Sequence, residues 1–229
     1  MLRSVQDLFR LAVGATDGEI GTAYNLLFHD QWWMVRYLVV ESGSWLNRKR
    51  VLLAPAALGT PDWGRRVAPV SLSREQVRSS PDVDTDRPVS RQQEMLMNRY
   101  YGWPDYWKEG SEAGEEEARD PHLRSAREVM GYEMRARDGE VGSVEDFLLD
   151  DETWVLRYLV VDTGHWLPGR RILVAPPWIE RVSWAQRSVI ANLEKERIEK
   201  SPAYDPPVEV SREYEATLYD YYGQGKYWE

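Results

Sequence analysis

The sequence contains no cysteine, so disulfides, thiolate catalysis and cysteine-ligated metals are all closed to it. Histidine is nearly as scarce: His29, His122 and His165 fall in a turn, in an acidic stretch and after a strand. None has a second histidine at helical ligand spacing, so no metal site or acid–base role is expected of them. A nucleophile elbow, a P-loop and a dinucleotide fingerprint are all missing. Asp17-Gly18-Glu19 is too short for a calcium loop and reads as a hairpin turn. No apolar run approaches the ~20 residues of a membrane helix, and the first residues lack the apolar core of a signal peptide. Positive charge is in deficit: 29 Lys and Arg against 38 Asp and Glu leave a net charge of −9. Binding to a phosphate backbone runs on Lys and Arg, so nucleic acid is not expected as a partner. The expectation from these absences is a cytoplasmic, non-enzymatic protein with no cofactor, no metal and no integral membrane segment.

What the chain does have is tryptophan (11) and tyrosine (13), against three phenylalanines, and one pattern written twice. Trp33-Met34-Val35-Arg36-Tyr37-Leu38-Val39-Val40-Glu41 returns as Trp154-Val155-Leu156-Arg157-Tyr158-Leu159-Val160-Val161-Asp162, an offset of 121 residues. The same offset pairs Asp17-Gly18-Glu19 with Asp138-Gly139-Glu140 and Ala54-Pro55 with Ala175-Pro176. It also pairs Ser80-Pro81 with Ser201-Pro202 and Tyr100-Tyr101-Gly102 with Tyr221-Tyr222-Gly223. No gap is needed from Ser4 to Trp107, which chance does not produce; the sequence reads as a tandem duplication. The expected organisation is a first copy over 1–107, an acidic flexible linker over 108–122 and a second copy over 123–229. The linker holds six acids and two bases, so it is solvated.

Within each copy the fold class is mainly β. Asp-Gly predicts a hairpin leading into a strand over Glu19–Phe28 or Glu140–Leu149. The Trp-x-x-Arg-Tyr-Leu-Val-Val strand follows, apolar on both faces and therefore central. Arg50–Ala54 and Arg171–Ala175 give a third strand, ended by Pro55 and Pro176, and a last short strand lies near Ala68–Leu72 or Val189–Leu193. Single helical turns are expected at Ser4–Asp7, Ser125–Glu128, Arg74–Val77 and Lys195–Ile198. Ser90 and Ser211 read as N-caps of helices that stop at Gly102 and Gly223. Each copy is thus a small β-barrel with a short C-terminal helical arm.

Asp-Gly-Glu-Ile-Gly, Arg-Tyr-Leu-Val-Val and Val-Leu-Leu-Ala-Pro, in that order and twice, resemble the PRC-barrel domain. This is the β-barrel module named after the H subunit of the photosynthetic reaction centre, and also the C-terminal domain of the ribosome maturation factor RimM. The Ser-Pro, Val-Ser-Arg, Tyr-Tyr-Gly and Tyr-Trp tail looks like the extension of bacterial two-copy members of that family. The resemblance implies two tandem barrels that assemble with other macromolecules. It leaves peripheral contact with a membrane or a photosynthetic electron-transfer complex as an expectation. The H subunit's membrane helix and RimM's separate N-terminal domain have no counterpart in these residues, so neither partner carries over.

The candidate interaction residues are Arg36, Arg157, Trp45, Trp166, Tyr100, Tyr101, Tyr221, Tyr222, Trp107 and Trp228. A charge inside an apolar strand needs a partner, and Glu19 is expected to pair with Arg36 and Glu140 with Arg157. The same arginines could bind an anion at the barrel mouth, which makes a small-ligand sensor the alternative to a protein–protein adaptor. The aromatic arms are expected to cross onto the opposite barrel, within the chain or in a homodimer, because a small barrel cannot easily bury so many rings alone.

Overall fold

The computed structural model describes residues 1–43, 49–81, 91–104, 123–164, 169–206 and 209–229, with backbone alone at 91–93. The expected linker lies outside the described residues, and so do Ser90, Trp45, Trp166 and Trp107. The protein is mainly β. It forms two compact units. The first takes Val5–Arg127 with Asp151–Val155, and the second takes Met1–Ser4, Glu128–Asp150 and Leu156–Glu229. Each unit therefore contains a short piece from the other half of the sequence.

In the first unit, β2 (Ala12–Ala15) and β3 (Gly18–His29) form the hairpin that Asp17-Gly18 predicts, with Gly18 at φ 139°. β3 pairs antiparallel with β4 (Met34–Ser42), from Gly21↔Ser42 to His29↔Met34. β4 pairs with β5 (Lys49–Leu53), and β6 (Val67–Pro69) runs parallel to β2. Among the described residues the ladder β6–β2–β3–β4–β5 is open: the chain itself joins β5 to β6, through a 3-10 turn at Pro55–Ala57. α1 (Val5–Leu8), α2 (Arg74–Arg78) and α3 (Arg91–Tyr101) complete the unit. Ser73 and Gln76 cap α2 reciprocally.

β3 is long enough to use one edge twice. Its first half carries β2, and Leu27–His29 carries β7 (Leu123–Ser125), a strand 94 or more residues away in sequence. A bulge between Ala23 and Asn25 separates the two partners, since an extra residue re-aims a strand. Leu123 enters the first unit's core with Leu27, Tyr37, Val39, Leu52 and Met97.

The second unit repeats these elements. Its strands are β8 (Glu133–Ala136), β9 (Gly139–Asp150), β10 (Val155–Asp162), β11 (Arg171–Val174), β12 (Ile179–Ser183), β13 (Ser188–Ala191) and β14 (Ala203–Tyr204). Its helices are α4 (Ala126–Val129), whose first turn begins in the first unit, α5 (Lys195–Glu199) and α6 (Arg212–Tyr222). β8 pairs antiparallel with β9 and parallel with β13, and β12 pairs with β13. β11 pairs with β10 on one side and β14 on the other. β1 (Leu2–Ser4) adds to the end of β9, Leu2 opposite Asp150. α6 starts at Ser211, whose hydroxyl accepts from the Tyr214 N–H, and stops at Gly223 with φ 62°.

The central strand starts one residue later than its apolar pattern suggests. Trp33 has φ 54° and Trp154 φ 56°, left-handed values that a ring-bearing side chain adopts only under constraint. The Trp33 N–H donates to the His29 carbonyl at 2.7 Å, so the tryptophan closes the turn rather than opening the strand. Both indoles are buried, at 6% exposed.

Gly21 and Gly142 mark where the long strand presses on its neighbour. A Cβ at Gly21 would lie 2.1 Å from the Glu41 carbonyl oxygen, and one at Gly142 would lie 2.0 Å from that of Asp162. Backbone has to move to admit a methyl group. Gly142→Ala is expected to cost about 1–3 kcal/mol, whereas Gly225→Ala, with open space around it, should change little. Urea melts of the two variants check this, and equal midpoints would refute the close approach.

Candidate functional site

The two strand arginines have different surroundings. Arg157 pairs with Asp150 at 3.2 Å and lies under the Tyr227 ring at 4.3 Å. Arg36 lies 5.1 Å over the exposed Trp32 ring and donates to the Met34 sulfur at 3.4 Å. The expected partners are displaced: Glu19 pairs with Gly14 near the hairpin turn, and Glu140 pairs with Arg135. The reason is strand direction. β3 and β4 are antiparallel, so the start of β3 meets the end of β4, and Arg36 lies across from the bulge between Leu27 and Phe28.

The helical arms fold onto the unit that contains their own copy. In the first unit the Tyr37 hydroxyl donates to Asn98 of α3 at 3.3 Å, and Tyr100 donates to the Gln76 carbonyl at 2.9 Å. Tyr101 stacks on Trp103 at 4.2 Å. In the second unit, α6 buries Leu218, Tyr219 and Tyr222. Tyr222 lies 4.3 Å from Trp178 and Tyr219 5.3 Å from Trp228, while the Tyr221 hydroxyl donates to the Arg197 carbonyl at 2.8 Å. Within the chain, these contacts correct the expectation that the arms cross to the opposite barrel. What crosses is the Leu-Arg-Ser strand, β1 or β7, three residues too few to show a period.

At the foot of α6 sits a buried carboxylate that the sequence reading overlooks. Glu215, 3% exposed, accepts from the hydroxyls of Tyr158 and Tyr227, each at 2.8 Å, and pairs with Arg212 at 2.9 Å. It shares a helix face with Leu218, Tyr219 and Tyr222, and Glu94 shares one with Met97 and Asn98 in α3. A carboxylate at i, i+3, i+4 spacing among buried residues is the signal that could have revealed both. Burial holds the Tyr158 phenol well above its ordinary range, aided by Tyr219 and Glu215. Burial also pushes Tyr219 and Tyr222 up to about 12. The Tyr158 phenol is neutral and hydrogen-bonded to Glu215, which suits packing rather than proton transfer at neutral pH.

The first unit also has a cleft of about 670 Å³, lined by Asp17, Glu19, Ser42, Lys49, Arg74 and Arg78 among others. Lys49 donates to the carbonyls of Arg78 and Ser80 at 2.8 and 2.5 Å, capping the end of α2, and Arg78 is bonded to Glu75. Charges of both signs share this wall. Among the described residues no group of three or more His, Asp or Glu is placed to hold a metal ion, and no helix is long and apolar enough to cross a membrane. No protein-family model and no curated protein matches the chain.

Proposed function

We propose that this chain is a non-enzymatic adaptor made of two PRC-barrel-like modules with helical arms, acting through protein–protein contacts. The recurrence of strand and helix bounds at one offset and the short antiparallel ladders support the module reading. In this reading it works in the cytoplasm, in solution or at the periphery of a membrane or photosynthetic complex. The observation that carries the adaptor role is the outward face of α3. Met95, Leu96 and Tyr100 are 42%, 56% and 41% exposed. At the first two of these positions α6 has Ala216 and Thr217. Leu96 and Tyr100 are four residues apart and so adjacent on the helix surface. A large apolar face on one arm and a small, more polar one on its sister marks a surface kept for contact.

A small-anion sensor is the second reading, favoured by Lys49, Arg74 and Arg78 around the cleft. It is the weaker one, because Lys49 and Arg78 are already engaged and Asp17, Glu19 and Glu75 oppose an anion there. Leu96→Glu should leave the melting temperature unchanged and remove a partner that the wild-type chain captures from its native host. Identical partner sets for both proteins, with saturable phosphate binding by calorimetry, would favour the sensor instead.

A further inference from the structure

The strands that change units are the same tripeptide. β1 is Leu2-Arg3-Ser4 and β7 is Leu123-Arg124-Ser125. Their registers match residue for residue. Leu2, Arg3 and Ser4 lie opposite Asp150, Leu149 and Leu148, while Leu123, Arg124 and Ser125 lie opposite His29, Phe28 and Leu27. Both are fastened by the serine. Ser4 donates to Asp146 at 2.5 Å, and Asn25, the residue corresponding to Asp146, donates to Ser125 at 2.8 Å. The β7 junction adds a nearly buried ion pair, Arg124 with Asp30 at 2.6 Å.

We propose that Leu148–Asp150 on β9 and Leu27–His29 on β3 are strand-acceptor sites for a Leu-Arg-Ser segment, and that a second copy of this chain can supply it. The product is a reciprocal, strand-exchanged dimer. The chain is already exchanged with itself, since β1 sits in the second unit while α1, which follows directly, sits in the first. Domain swapping requires only that another copy make the same contacts. Here every contact of β1 on β9 is available to the β1 of a neighbouring chain without any change in sequence. Main-chain pairing at a strand edge supplies the attraction, and the serine latch together with the leucine in the core sets the register. Nothing favours self-pairing except the local concentration a tether provides, of the order of millimolar. This inference stands on the register and does not depend on the adaptor reading; the α3 face takes no part in it.

The absence of cysteine makes the test clean. Full-length Ser4→Cys and Asp146→Cys chains, one enlarged by a tag, are unfolded together under reducing conditions. They are refolded at ~10 µM, far below the effective concentration of a short tether, and at ~1 mM, comparable with it, and then oxidised. After refolding at the higher concentration, disulfide dimers of unlike chains should exceed their statistical share several-fold, and they should be scarce at the lower one. Like and unlike dimers in statistical proportion, or no concentration dependence, would overturn the proposal. The second junction, Asn25→Cys with Ser125→Cys, is run in parallel, so that one pair decides if the other fails to fold or to oxidise. The single-chain double variants, which should close an internal bond, verify each geometry.

Discussion

Glu215→Ala is expected to be among the most destabilising single substitutions in the second unit, by about 3–5 kcal/mol. The carboxylate is buried and accepts two phenolic hydroxyls, Tyr158 from the central strand and Tyr227 from the tail, besides pairing with Arg212. Truncation leaves the Tyr158 hydroxyl in the core without its acceptor, and an unsatisfied buried donor costs the full desolvation of the group. Arg212 is more than half exposed and can find water, so most of the loss comes from the tyrosines. Glu215→Gln keeps an acceptor oxygen for both hydroxyls and should cost less than half as much. Urea denaturation of the two variants measures the difference. If the alanine variant stays within about 1 kcal/mol of wild type, no more than one ordinary hydrogen bond, the carboxylate does not organise this arm. The consequence for function is direct. Glu215 ties α6 to β10, and that tie keeps Tyr219, Tyr222 and Trp178 inside the unit rather than on its surface.

Local chemistry in this chain was legible from sequence, and long-range pairing was not. The Asp17-Gly18 hairpin, the one-turn helices and the arms ending at Gly102 and Gly223 all follow from turn and cap residues acting on their neighbours. The choice of unit for Leu2–Ser4 does not, because a three-residue strand carries no periodic signal and its acceptor edge lies at least 144 residues away along the chain. The number of tyrosines and tryptophans suggests arms that cross to another barrel, because a small barrel cannot easily bury so many rings alone. The buried carboxylate of Glu215 receives two of the phenols and makes them part of a core. Antiparallel pairing alone would have placed Glu19 away from Arg36, whereas the choice of Asp150 for Arg157 depends on where the following turn sets that side chain. Of the candidate residues, Arg36 and Arg157 lie in β4 and β10, and Tyr100, Tyr101, Tyr221 and Tyr222 lie in the last turns of α3 and α6. The apolar face of α3 becomes visible only when exposure separates Leu96 from its buried neighbour Met97.

The same aromatic cluster predicts alkaline unfolding over a defined window. Tyr219 and Tyr222 give up their protons at about 12 in the folded chain, against 10.0 for an unburied phenol, chiefly because burial penalises the phenolate. Between pH 10 and 12 the unfolded chain therefore holds fewer protons than the folded one, and stability falls as pH rises. The contribution is whole below pH 10 and lost by the time pH passes 12. Raising two phenols from 10 to about 12 amounts to roughly 3–5 kcal/mol, allowing for their coupling. Such a loss is a large fraction of the roughly 5–15 kcal/mol that holds a typical domain together. Urea midpoints at pH 8, 10, 11 and 12 should drop steeply across the last three, while phenolate absorbance of the folded protein lags that of the urea-unfolded chain. Lysine ion pairs such as Lys226 with Asp220 also weaken in this range. The Tyr219→Phe/Tyr222→Phe variant separates the two causes, since it keeps the rings and removes the titrating hydroxyls. Its stability should fall less steeply between pH 10 and 12, the remaining slope coming from the other buried phenols, Tyr158 and Tyr214. A slope equal to that of wild type would mean that the arm's packing is not what holds those protons.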